Sequence, residues 1–106
     1  MPNDQVRDAL RQFAAERNWG QFHTPENLAK SISIEAGELL ECFQWDREPS
    51  PERVQEELAD VLTYCLFLAD RLGLDPDEVV LAKLEVTRAK YPAEKARNRS
   101  DRYDAL

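Results

Sequence analysis

The chain has 106 residues, enough for one domain with a modest core. Asp and Glu number 21 against 14 Lys and Arg, and the formal net charge of −7 leaves no basic stripe for a nucleic-acid backbone. No apolar run approaches the length of a membrane span, and the opening Met-Pro-Asn-Asp carries no signal-peptide pattern, so a cytoplasmic location is expected.

A first helix is predicted from about Asp4 to Arg17, with Val6, Leu10, Phe13 and Ala14 along one side. Asn18-Trp19-Gly20 breaks it. Thr24-Pro25 is a cap residue followed by proline at the first helical position, and the second helix is expected to run to about Asp46. Ser50-Pro51 repeats the device after a proline turn. The third helix then reaches Leu72 and stops at Gly73, a natural left-handed terminator. Asp75-Pro76 opens a fourth helix, with Glu78 placed for a capping box, and that helix ends near Lys90, ahead of Tyr91-Pro92. There is no strand pattern and no internal repeat. The expectation is an all-α four-helix bundle over residues 1–92, followed by a polar tail over 93–106 that is partly disordered. Cys42 and Cys65 fall on predicted helices among apolar neighbours, without C-x-x-C spacing, and read as buried free thiols. Trp19, Phe22, Trp45 and Phe67 offer more aromatic surface than so small a unit easily hides. That points to an oligomer with helix faces shared between subunits. Core filling is the competing reading for these rings, Phe67 above all.

Two acidic couplets stand out, Glu35/Glu38 on the second helix and Glu57/Asp60 on the third. Spacing by three puts both carboxylates of a couplet on neighbouring turns of one face. Pairs so spaced also occur at Asp75/Glu78 and Asp101/Asp104, as chance allows in so acidic a chain, so placement carries the information. Leu28, Ile32, Leu39 and Phe43 form a stripe roughly 60° wide, and Glu35 sits at its edge. Val54, Val61, Cys65, Leu68 and Leu72 form the stripe of the next helix; Glu57 borders it beside Tyr64, and Asp60 lies one step further out, near Phe67. Acids bordering apolar stripes are costly unless paired or metal-bound. Two such helices packed together would aim four carboxylates at one point, where they repel unless cations lie between them. Hard oxygen donors of this kind suit Mg²⁺ or Mn²⁺. Salt bridging on a solvated face is the competing reading. His23 is the single histidine and has no Glu three residues before it, which removes the Glu-x-x-His set of di-iron bundles and histidine-based zinc chemistry.

The run from Arg17-Asn-Trp-Gly-Gln-Phe-His-Thr-Pro-Glu-Asn-Leu28 resembles the opening segment of the MazG-like nucleotide pyrophosphohydrolases, especially their dCTP pyrophosphatase branch. Glu35-Ala-Gly-Glu-Leu-Leu-Glu-Cys-Phe-Gln-Trp45 resembles that family's first metal helix, and Glu56-Glu-Leu-Ala-Asp-Val-Leu-Thr-Tyr64 its second. Lys83-Leu-Glu with Lys90-Tyr-Pro92 resembles its closing motif. The match covers most of the chain, in order and with compatible spacing.

The resemblance implies an all-α fold of the NTP pyrophosphohydrolase type, Mg²⁺ dependence, and cleavage of a nucleoside triphosphate to monophosphate and pyrophosphate. By position, Glu35, Glu38, Glu57 and Asp60 would bind Mg²⁺, with Mn²⁺ able to substitute. Trp19, His23 and Trp45 would line the base pocket, with Tyr64 beside them; Lys83 and Lys90 would approach phosphate, with Arg88 a weaker candidate. Two positions depart from the family pattern: Thr87 stands where Asn is usual, and Ile34 where some branches carry an acid. Glu38 is the first choice for a general base taking a proton from water, and indole and imidazole faces suit stacking on a base. The resemblance favours dCTP or a modified pyrimidine deoxynucleotide as substrate, and a homotetramer over a dimer. Two other readings compete: a non-catalytic acidic helical interaction module, and a hydrolase of the same fold acting on another phosphoanhydride.

Overall fold

A computed structural model describes residues 2–45 and 48–105. Its elements are α1 (Pro2–Glu16), a 3₁₀ turn (Trp19–Phe22), α2 (Pro25–Glu41), α3 (Pro51–Arg71), α4 (Pro76–Lys90), α5 (Ala93–Ala96) and a final 3₁₀ turn (Tyr103–Ala105). The expected all-α class holds, with no strand among the described residues.

The starts follow the cap chemistry. Thr24 Oγ1 accepts from the Asn27 amide at 3.1 Å, and Ser50 Oγ accepts from the Arg53 amide at 3.4 Å. Asp75 Oδ1 accepts from the amides of Asp77 and Glu78 at 2.9 and 3.2 Å. Each cap quenches amides that the first turn leaves without a partner. Gly73 sits at φ 69°, the left-handed conformation that ends α3 without steric cost.

The second helix is shorter than expected. It stops at Glu41, and the expected end at Asp46 lies outside the described residues. The amides of Cys42, Phe43 and Gln44 reach back only three residues, to the carbonyls of Leu39, Leu40 and Glu41, at 3.2, 3.0 and 3.2 Å. This tighter winding takes Phe43 and Trp45 off the helix.

The chain forms two compact units, Met1–Gly73 and Leu74–Leu106. In the first, α2 and α3 pack as an antiparallel pair. His23, before α2, meets Phe67 near the end of α3, and Glu35, later in α2, meets Glu57 near the start of α3. The face that α2 turns inward carries Leu28, Ser31, Ile32, Glu35, Glu38, Leu39 and Cys42, an arc of about 120° at 100° per residue, and all seven are buried or half-buried. Two glutamates thus lie inside the covered stripe, not across from it. Leu28 and Phe67 are the buried apolar centres. α1 joins the far end of α3 through the Arg11 guanidinium, which donates to Asp70 from Nε at 2.7 Å and from Nη2.

Neither cysteine is fully buried. Cys42 is half-buried and its thiol donates to the Glu38 carbonyl at 3.7 Å, whereas Cys65 is exposed. Cys65 projects to the side of α3 that carries Leu58 and Leu62, away from α2, and both leucines are exposed too.

In the second unit, Thr87 Oγ1 donates to the Lys83 carbonyl at 3.1 Å and Arg88 pairs with Glu85. α5 follows Pro92, so the expected tail boundary falls inside this unit.

Candidate functional site

Three carboxylates converge between α2 and α3. One oxygen each from Glu35, Glu57 and Asp60 lies within 4.8 Å of the others. Glu35 and Glu57 are half-buried and Asp60 is exposed. The fourth acid, Glu38, is within hydrogen-bonding reach of both Glu35 and Glu57. Burial is the first cause that pushes the Glu35 carboxyl above the usual carboxylate range. The hydrogen bond that the Glu35 carboxyl shares with Glu38 follows, then the charges of Glu38, Asp60 and Glu57. Glu57 is raised for the same reasons in the same order, burial, then Glu38, then Asp60, with only Arg53 pulling the other way.

Oε2 of Glu35 and Oε2 of Glu57 are both buried with no hydrogen-bond partner. Acceptors in that state are costly, and costlier still when like charges crowd them. A hard divalent cation removes both costs at once, and an all-oxygen donor set is what Mg²⁺ or Mn²⁺ takes. The residues fit such an ion.

Next to the acids, toward the end of α3, runs a line of rings. Phe13 meets Trp19 edge-on at 5.3 Å between centroids, Trp19 lies 6.4 Å from His23, His23 is 4.6 Å from Phe67, and Phe67 is 6.2 Å from Tyr64. Trp19, His23 and Tyr64 are therefore brought together, and Phe67 is the ring that links them. Trp45 is not with them. It stands 73% exposed on the turn after α2, in a hollow shared with Cys42, Ser50 and Arg53. The antiparallel pairing puts that turn at the opposite end of the pair from Trp19 and His23. Lys83, Thr87, Arg88 and Lys90 lie on α4, in the second unit.

Sequence reasoning missed the Arg11–Asp70 pair, which joins residues 59 apart and leaves no local pattern. It also missed the linking role of Phe67. A signal for that was present. At 100° per residue, Glu57, Asp60, Tyr64, Phe67 and Arg71 share a stripe of about 80° on α3.

Among the described residues the fold is all-helical, and the carboxylates that converge from its two antiparallel helices make a donor set of the kind that suits a divalent cation. Comparison with known proteins narrows the class. Residues 30–106 match the MazG-like family, and the chain belongs to it. It is 43% identical to human dCTP pyrophosphatase 1, over 97% of this chain and 66% of that protein. It is 40% identical to the Bos taurus protein of the same name, over 97% of this chain and 67% of the relative. The chain thus spans about two thirds of the length of these relatives. A solved pyrophosphatase from Archaeoglobus fulgidus superposes with a TM-score of 0.79 at 46% identity, covering 87% of this chain and 94% of the other.

Proposed function

We propose that the chain is a Mg²⁺-dependent nucleoside triphosphate pyrophosphohydrolase acting on dCTP or a modified pyrimidine deoxynucleotide. The products are nucleoside monophosphate and pyrophosphate, and the role is control of the nucleotide pool. One observation carries the reading: the two buried, unpartnered oxygens of Glu35 and Glu57, residues whose carboxylates converge with that of Asp60. The names of the human and bovine relatives and of the archaeal structure support it.

Glu35, Glu38, Glu57 and Asp60 would hold the ion. Bound there, Mg²⁺ supplies charge neutralisation for a triphosphate that four carboxylates would otherwise repel. Glu38, within hydrogen-bonding reach of Glu35 and Glu57, would take the proton of the attacking water. Trp19 and His23 offer faces for the base. Tyr64 is the α3 ring of the line nearest the acids and is suited to the sugar. Lys83 and Lys90 serve the phosphates. The Thr87 hydroxyl already gives its proton to the Lys83 carbonyl, so its part is to orient that turn of α4.

The working form is a homo-oligomer, a tetramer in preference to a dimer, acting in the cytoplasm without nucleic acid or membrane. Ile34, Leu40, Phe43, Leu58 and Leu62 are exposed large apolar residues that a second copy would cover.

The test is purified protein with Mg²⁺ against pooled canonical and modified nucleoside triphosphates, with products separated by anion exchange. Monophosphate and pyrophosphate are expected. Orthophosphate and diphosphate as primary products reject the bond assignment, and inertness toward the whole pool returns the chain to the interaction-module reading.

A further inference from the structure

Beyond His23 and Phe67 the first unit opens into a groove of about 410 Å³, whose polar wall is made by Arg11, Asn18, Asp70 and Arg71. Glu57 and Asp60 lie near the start of α3, and this groove lies near its end. From Asp60 to Asp70 the helix rises about 15 Å, the order of length of an extended nucleoside triphosphate. The ring line of Tyr64, Phe67 and His23 spans the interval. A triphosphate held at the acids therefore extends its base over the rings, with the far edge of the base in the groove.

The polar wall is ordered. Arg11 donates from both Nε and Nη2 to the same oxygen, Oδ1 of Asp70. Oδ2 of Asp70 accepts no hydrogen bond among the described residues. Arg11 neutralises the carboxylate and holds its direction, so the groove offers a fixed acceptor beside a guanidinium donor without a net negative charge. Phosphate oxygens bring no hydrogen-bond donor to Oδ2 of Asp70. A base edge with an amino donor next to a ring acceptor does. Cytosine presents N4–H₂ as donor at this edge, whereas uracil and thymine present an O4 acceptor.

We propose that Asp70, held by Arg11, is a specificity-determining acceptor that reads the exocyclic amino group of a cytosine base and disfavours the 4-oxo pyrimidines. The inference rests on the pyrophosphohydrolase reading and deepens it. A site built to hydrogen-bond a donor rejects an analogue that brings an acceptor there, because two acceptors are left facing each other. Since the Asp70 side chain is 34% exposed, water softens the penalty, and a discrimination of about tenfold or more is expected, below that of a sealed site.

The experiment measures kcat/KM for dCTP and for dUTP, which differ in the hydrogen-bonding groups at this edge, in the parent, in Asp70→Asn and in Asp70→Glu, alongside melting curves. The parent should prefer dCTP. In Asp70→Asn the dCTP-to-dUTP ratio should fall about tenfold, through a higher KM for dCTP with kcat/KM for dUTP unchanged or raised. Asp70→Glu keeps the ion pair with Arg11 but moves the acceptor by one methylene, so its ratio should fall while the melting temperature holds. Equal losses on both substrates, with a lower melting temperature, would mean that Asp70 only ties α1 to α3 and would overturn the proposal. A parent that turns over both nucleotides equally, or variants that keep the parent ratio, overturn it as well while leaving the pyrophosphohydrolase reading intact. A parent inert toward every triphosphate instead sinks that reading and this inference together.

Discussion

Glu38 shares hydrogen bonds with both Glu35 and Glu57. Burial is the first cause that raises Glu35 and Glu57, and a hydrogen bond with Glu38, which two carboxyls can share only if one keeps its proton, raises them further. The folded chain then holds protons at these groups that the unfolded chain has released. Without metal, their contribution to stability falls as pH rises from the ordinary glutamate range through the raised values. Added Mg²⁺ acts in the opposite sense, since it binds the deprotonated carboxylates, and its stabilisation should be larger at pH 8 than at pH 5.5 in thermal melts against a chelator control. An equal gain at both values would place the ion elsewhere. Glu38→Gln keeps the shape and removes one charge. With chelator the variant should melt no lower than the parent, and with excess Mg²⁺ it should gain less and lose nearly all turnover. Equal Mg²⁺ gains and intact activity would make Glu38 a bystander. The four acids were legible in the sequence because their spacing follows helix geometry. Their convergence was not, since it depends on α2 and α3 meeting at a register that only packing sets.

At the scale of elements, starts were easier to read than stops. Three helices begin with a cap residue followed by proline, and in each the cap side chain accepts from an amide in the first turn. α3 also ends where Gly73 says it must. α2 has no such terminator. Its apolar spacing continues through Phe43, and the residue after Glu41 is Cys42 in an ordinary right-handed conformation. Nothing in the sequence announces that the winding tightens there, and Trp45 was read as helical for that reason. The caps have measurable weight. Thr24→Ala should cost about 1 kcal/mol, since it frees the Asn27 amide, while Thr24→Ser should restore most of it. Denaturant titration of the three proteins checks this. Because Thr24 follows His23 directly, the alanine variant should also raise KM for the nucleotide more than it lowers kcat. A stability loss with an unchanged KM would separate the cap from the ring line.

For the molecule as a whole, the unanswered position is Trp45. The resemblance to the family puts it with Trp19 and His23 at the base, yet in the chain it lies at the other end of the α2–α3 pair, 73% exposed. An antiparallel pair cannot bring both ends to one point within a single copy. A second copy, packed through the exposed apolar residues of α2 and α3, would let Trp45 reach a base held on its neighbour. So large a free indole is expensive in water and well suited to such a site. Trp45→Ala should then leave the sedimentation mass and the melting temperature close to those of the parent. It should also raise KM for dCTP by an amount equivalent to about 1–3 kcal/mol of stacking, with Mg²⁺ affinity little changed. If the indole serves only to hold copies together, the sedimentation mass falls and activity falls with it in proportion to dissociation, and concentrating the protein recovers both. An unchanged KM at unchanged mass would remove Trp45 from the nucleotide site altogether. Mixing Trp45→Ala with Glu38→Gln subunits gives the decisive comparison. When Trp45 acts across the interface, mixed oligomers pair an intact acid cluster with an intact indole from the other copy, and activity reappears from two variants that are each impaired alone.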